Sequence, residues 1–120
     1  MSASTRRSDL HAPLSTVLAG LEAAGEVTRL RLLALLSEAE ITVTELIHIL
    51  GQSQPRISRH LKLLVESGLV ERHREGAWAF FNLAQSGPCA QLARDILQRI
   101  NAFDPQFVAD RQRLAEVRQS

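Results

Sequence analysis

Apolar residues recur three to four positions apart from Leu14 onward, at Leu14, Val17, Leu18 and Leu21, which predicts an amphipathic helix from Pro13 to about Glu26. A second helix follows from Val27 or Thr28 to Ser37. Leu30, Leu33, Leu36 and their neighbours make it apolar on most sides, the pattern of a buried helix. Thr42-Val43-Thr44-Glu45 fits a capping box, a hydroxyl at the N-cap and a carboxylate three residues on. It starts a short helix, Val43 to Leu50, that stops at Gly51. Ser53 caps the next helix, with Pro55 in the first turn, where a missing N–H is harmless. That helix runs to Ser67, and Gly68 suits the left-handed position beyond its end.

After Gly68 the period changes from helical to alternating. Residues 69–74 and 77–83 are strand-like and joined by Glu75-Gly76, a β-hairpin. A helical region then begins near Pro88, with Leu92, Ala93, Ile96, Leu97, Ile100 and Phe103 at three-to-four spacing. Asp104-Pro105 restarts a last helix. This order predicts a mainly α protein with a small β-hairpin (α+β), a winged helix-turn-helix. The expected divisions are a flexible N-terminal segment (1–12), the winged helix-turn-helix (13–103) and a C-terminal helix (104–120). The last serves dimerisation or links to a further domain.

The 120 residues suffice for one core. Aromatic residues make up only 4%, which agrees with a helical majority. The single cysteine, Cys89, supports no internal disulfide, so a cytoplasmic setting is expected. Arg6-Arg7 ahead of Leu14–Ala24 loosely mimics an export signal, but Asp9, Ser15, Thr16 and Glu22 interrupt it. No apolar run reaches membrane-spanning length, and no membrane partner is expected.

The net charge of +1 excludes a global polycation, so any electrostatic footprint is local. Residues 52–74 hold five Arg/Lys against two acids, a local +3 that leaves −2 elsewhere. Positive charge therefore gathers where a helix meets the hairpin, as in a DNA reader. On a helical wheel Ile57, Leu61 and Leu64 share the core face. Pro55, Arg59, Lys62 and Glu66 lie opposite, and Gln54, Arg56 and Ser58 flank them near the N-terminus. Arg pairs bidentately with guanine and Gln with adenine, and Ser53 with the free first-turn N–H groups suits a phosphate. His60 lies at the edge of the core face and has two readings, a packed histidine or a DNA contact.

The stretches Thr28-Arg29-Leu30-Arg31-Leu32-Leu33, Val43-Thr44-Glu45-Leu46 and Gln54 to Leu64, then Gly68-Leu69-Val70 and Arg74-Glu75-Gly76, resemble the ArsR/SmtB family of bacterial winged-helix repressors. The resemblance covers about Leu14 to Phe103. It implies a homodimer on an imperfect palindromic operator of double-stranded DNA, released when an inducer binds elsewhere. It also implies that Gln54, Arg56, Ser58, Arg59 and Lys62 face the major groove, while Arg72 and Arg74 in the wing reach backbone or minor groove.

The effector is less legible, and a small molecule and a redox signal both remain open. Arsenic sensors of the family carry paired cysteines where this chain has Thr42 and Thr44. Zinc and nickel sensors carry Asp/His sets in the C-terminal helix, where Cys89 and Asp95 share no helical face. His11, His48, His60 and His73 are scattered. No metal and no cofactor is expected. Cys89 reads as a small buried residue, with single-thiol modification as the alternative. Trp78 and Phe80 line an effector site or pack under the hairpin, and packing is favoured. The tail Asp110 to Arg118 is similar to segments that precede a fused methyltransferase domain. One alternative is therefore the regulatory part of a larger protein responding to S-adenosylhomocysteine.

The first helix (Leu14, Val17, Leu18, Leu21) and the late helices (Leu92, Ile96, Ile100, Phe103, Phe107) carry more apolar surface than one small winged helix needs. Packing them across a two-fold buries it and sets two recognition helices about 34 Å apart. No enzyme motif stands out, neither a glycine-rich phosphate loop nor a nucleophile elbow. The competing class is a winged-helix protein-interaction module.

Overall fold

The computed structural model describes residues 11–119. Helix α1 spans Leu14–Ala24 and α2 spans Val27–Leu36. The two are separated by Gly25 and Glu26, so α1 stops short of the expected Glu26. Glu26 instead caps α2, its carboxylate accepting from the Arg29 N–H at 2.9 Å. Strand β1 is only Ile41–Thr42, followed by α3 (Val43–Leu50) and α4 (Gln54–Glu66). The hairpin is β2 (Val70–Glu75) and β3 (Trp78–Leu83); α5 is Pro88–Gln98 and α6 is Pro105–Gln119.

The capping box forms as the spacing predicts: Thr42 Oγ1 accepts from the Glu45 N–H at 3.2 Å, and Glu45 accepts from the Thr42 N–H at 3.0 Å. Gly51, with φ +67°, turns the chain between α3 and α4 in a conformation that L side chains avoid. Ser53 caps α4, accepting from the Arg56 N–H at 3.4 Å.

The sheet is antiparallel in the order β1-β3-β2, with Ile41 opposite Phe81 and Arg72 opposite the same Phe81 on the other side. The sequence pattern missed β1, because two residues are too few to show alternation. The turn falls one residue later than expected, at Gly76-Ala77, with Glu75 opposite Trp78. Gly76 supplies the positive φ (+62°) that the first turn position requires.

A second correction concerns the helix after Pro88. It ends at Gln98, and Ile100 and Phe103 lie beyond it. The cause is local: Asn101 Oδ1 accepts from the Phe103 N–H at 2.8 Å, a side-chain turn that competes with helix continuation. Phe103 is consequently 82% exposed.

The core centres on α2. Leu32, Leu33, Leu35 and Leu36 are all buried, joined by Ile41, Leu46, Ile49, Ile57, Leu61 and Leu64. Helices α1, α4, α5 and α6 and strand β3 all pack on α2. Helix α6 lies across α2 and α3, with Leu114 in the core cluster. Its anchor is Asp110, whose two oxygens each accept from the Arg31 guanidinium at 2.9 Å. That hydrogen bond, with the charge of Asp110, holds the Arg31 pKa above its ordinary value despite burial. Both side chains are largely removed from water, 14% and 4% exposed. Asp110→Ala should therefore lower the unfolding free energy by about 3 kcal/mol, because a buried guanidinium loses its only carboxylate. Chemical denaturation measures this, and a loss under about 1 kcal/mol would show that the pair is effectively solvated.

Candidate nucleic-acid interface

Helix α4 docks through Ile57, Leu61 and Leu64, all essentially inaccessible, and this fixes which side chains point outward. Two hydrogen bonds from α2 add to that docking. Gln52, in the turn before α4, donates through Nε2 to Thr28 Oγ1 at 3.2 Å. Arg29 donates to His60 Nδ1 at 3.1 Å and to the Ala23 carbonyl. Arginine has no acceptor, so Nδ1 must be the unprotonated nitrogen of the ring. His60 is thus half-buried and tied to α2 through Nδ1.

Pro55, Arg56, Arg59 and Lys62 are exposed on α4, as is Gln54 at its start. Gln54, Ser58 and Lys62 face the hairpin and share one cleft with Arg72. The strand period explains the meeting. Arg72 and Arg74 point to the same face as Val70, and their cross-strand partners Phe81 and Ala79 share it. Arg74 lies farther out, near the hairpin tip. On the opposite face His73 stacks on Phe80, with ring centroids 6.0 Å apart, and its Nε2 lies 2.9 Å from Glu40. Trp78 departs from the expectation of packing: it is 61% exposed and, with Phe80, Thr44 and Arg118, lines a shallow cavity.

Cation pairing sharpens the charge pattern. Among the described residues Arg29, Arg31, Arg94, Arg111, Arg113 and Arg118 each donate to a group of this chain. Arg56, Arg59, Lys62, Arg72 and Arg74 do not, and the only other such cation is Arg99. Among the described residues free positive charge is therefore confined almost entirely to α4 and β2. Sequence reasoning gave no hint of the Arg29–His60 or Arg31–Asp110 pairs, since contacts across 31 and 79 residues leave no local signal.

The α6 arginines act in docking. Arg113 donates to the His48 carbonyl at 3.0 Å, and Arg118 bridges Glu45 at 3.1 Å and the Glu40 carbonyl. Cys89 is buried, its Sγ 3.8 Å from the Thr16 carbonyl. Thr42 is engaged in its cap. Among the described residues no group of three or more His, Cys, Asp or Glu gathers as a metal site, and no helix is long and apolar enough to cross a membrane.

Of the expected dimer residues, Leu14, Leu18 and Leu21 stand exposed on α1 at 82%, 50% and 48%. Val17, Leu92, Ile96 and Ile100 are half-buried. Helix α1 lies beside α5, close enough that a Cβ at Gly20 would meet Leu92 at 2.9 Å.

A helix, a tight turn, an outward-facing second helix and a two-stranded wing define a winged helix-turn-helix. The family model for "Bacterial regulatory protein, arsR family" matches residues 26–72. The arsenical resistance operon repressor of Staphylococcus aureus is 33% identical over 91 residues, 76% of this chain and 80% of that protein. The chain belongs to the ArsR family. The arsenical resistance operon repressor of Escherichia coli K12 is 48% identical over 62 residues, 51% of this chain. The match spans only about half of that relative, 53% of its length. Among solved structures, the homodimeric winged helix-turn-helix DNA-binding domain Mb0332 from Mycobacterium bovis superposes with a TM-score of 0.62. It is 28% identical, over 71% of this chain and 77% of that one.

Burial lowers the His60 pKa below 6.5; Arg29, Arg56 and Arg59 act in the same direction and Glu26 against it. The fold thus favours the neutral ring, and the unfolded chain binds the proton more readily. Stability from this site is present above pH 6.5 and is lost as pH falls below it. Imidazole NMR should show His60 titrating below 6.5 in the native protein and closer to it in Arg29→Met. An unshifted midpoint in the native protein would mean that the ring is free in water.

Proposed function

We propose that the chain is a sequence-specific, homodimeric DNA-binding repressor, released from an imperfect palindromic operator by an inducer other than a metal. The observation that carries this reading is that, among the described residues, every unpaired Arg or Lys but Arg99 lies on α4 or β2. A solvated face has no reason to exclude the six arginines bonded elsewhere. Helix α4 then lies in the major groove, with Gln54, Arg56, Ser58, Arg59 and Lys62 toward base edges and the Ser53 end near a phosphate. Arg72 and Arg74 meet the backbone or minor groove. His60 acts by holding α4 to α2. The repressor names of the Escherichia coli and Staphylococcus aureus relatives support the function, and the Mycobacterium bovis domain supports both DNA binding and dimerisation.

The dimer uses the exposed α1 stripe, Leu14, Leu18 and Leu21, beside Leu92 and Ile96 of α5. Ile100 and the exposed Phe103 extend it after α5 ends. Leu18→Glu should shift sedimentation at micromolar concentration from dimer to monomer; an unchanged dimer would place the interface elsewhere. A non-metal inducer is favoured because Thr42 and Thr44 offer hydroxyls, and the Thr42 hydroxyl is already bonded in the capping box.

Fluorescence anisotropy with the upstream duplex of the chain's own gene and a scrambled duplex, across a salt series, tests the reading. Binding should prefer the upstream duplex and weaken with a log–log slope near −0.9 per neutralised phosphate. Arg56→Ala should relax base preference at about 1–3 kcal/mol, whereas Arg74→Ala should weaken all duplexes alike and reduce the slope by about 1. Salt-independent binding, or equal affinity for both duplexes, refutes sequence-specific recognition.

A further inference from the structure

The cleft between α4 and the hairpin encloses about 530 Å³, within the range of small-molecule sites. Its floor is apolar: Leu61 and Phe81 are 1% and 5% exposed, and Val43, Val65 and Ala79 stand half-buried around them. Nucleic acid has no use for such a floor. A phosphate loses hydration against it without gaining a donor, and base edges meet α4 through its outer side chains.

The rim is different. Lys62 of α4 and Arg72 of β2 both line it, and among the described residues neither has a carboxylate or carbonyl partner. Glu66, one helical turn beyond Lys62, is the only acid among the described residues that line the cleft, which together keep a net positive charge. Gln54 and Ser58 add neutral polar groups at the same end. An apolar floor beneath unpaired cations is complementary to a molecule that is itself apolar at one end and anionic at the other.

We propose that this cleft binds a small amphipathic carboxylate, its hydrocarbon body on the partly exposed Val43, Val65 and Ala79 and its carboxylate between Lys62 and Arg72. The ligand and DNA then compete for the same two cations and the same helix face, so occupancy of the cleft excludes the duplex. This exclusion rests on the DNA-binding reading above; the ligand site does not.

Decanoate, titrated into the full chain below its micelle concentration, tests the site, with 1-decanol as the uncharged control. Methyl NMR should show saturable shifts at Val43, Leu61, Val65 and Ala79. Lys62→Ala/Arg72→Ala should weaken decanoate by at least about tenfold, as expected for loss of two charge-assisted contacts, and wild type should bind decanol more weakly than decanoate. Circular dichroism confirms that the double variant, altered only at exposed positions, is folded.

Absence of saturable shifts, shifts confined to Leu14, Leu18 and Leu21 of α1, or equal affinity in the double variant overturns the site. In a second arm decanoate should release a bound labelled duplex; a ternary complex overturns the exclusion. If decanoate saturates the cleft but no duplex binds at any salt, the DNA reading fails and the ligand site stands.

Discussion

Helix α2 is apolar on most sides, and beyond the exposed Val27 at its start a helix of that kind must be covered over most of its surface. Satisfying it determines where everything else goes. Helices α1, α4, α5 and α6 and strand β3 each cover part of it, and Leu32, Leu33, Leu35 and Leu36 all reach the interior. The few polar positions of α2 then act as tethers. Thr28 receives the Gln52 amide of the turn, Arg29 holds His60 of α4, and Arg31 grips Asp110 of α6. Thus one helix sets the rotation of α4 about its axis and fixes α6 over α3. The outward face of α4 follows from these inner contacts.

Charge segregation is a consequence of the same packing. Arginines on α2, α5 and α6 reach carbonyls, carboxylates or a ring nitrogen of neighbouring segments. Helix α4 and strand β2 carry their cations on exposed positions, away from the core face of Ile57, Leu61 and Leu64. Their cations stay unpaired and retain full Coulomb reach toward a polyanion. The near-zero net charge of the whole chain therefore says little about its interface; what counts is which cations the fold leaves free.

Much of this was legible in the sequence, and the reasons differ by element. The capping box at Thr42, the Ser53 cap and the glycine stops at Gly51 and Gly68 are local, decided within four residues, so spacing alone finds them. The core face of α4, Ile57, Leu61 and Leu64, follows from the helical period. The misses are of two kinds. Strand β1 and the Arg29–His60 and Arg31–Asp110 pairs depend on partners 31 to 79 residues away and leave no periodic trace. The break after Gln98 was masked by a pattern that continued through Ile100 and Phe103. There the local side-chain turn at Asn101 overrode a hydrophobic period that had no core left to face. The exposed Trp78 is a similar case, since its strand continues past the last element able to cover it.

The tethers also bear on how a ligand acts. An effector at a distant site changes DNA affinity only to the extent that it binds two arrangements of α4 with different affinity. Helix α4 is held by three buried side chains, by the Gln52–Thr28 bond of its leading turn and by the Arg29–His60 bond. Rotating it out of register breaks several of these together, and a large population shift demands a correspondingly large differential affinity, about 5.5 kcal/mol for a complete reversal. A ligand seated between Lys62 and Arg72 needs no such rearrangement. On the proposed reading it takes up two cations that the duplex would also use, and the helix stays where α2 holds it. For a recognition helix so firmly docked, direct competition at its own face is the less costly route to release.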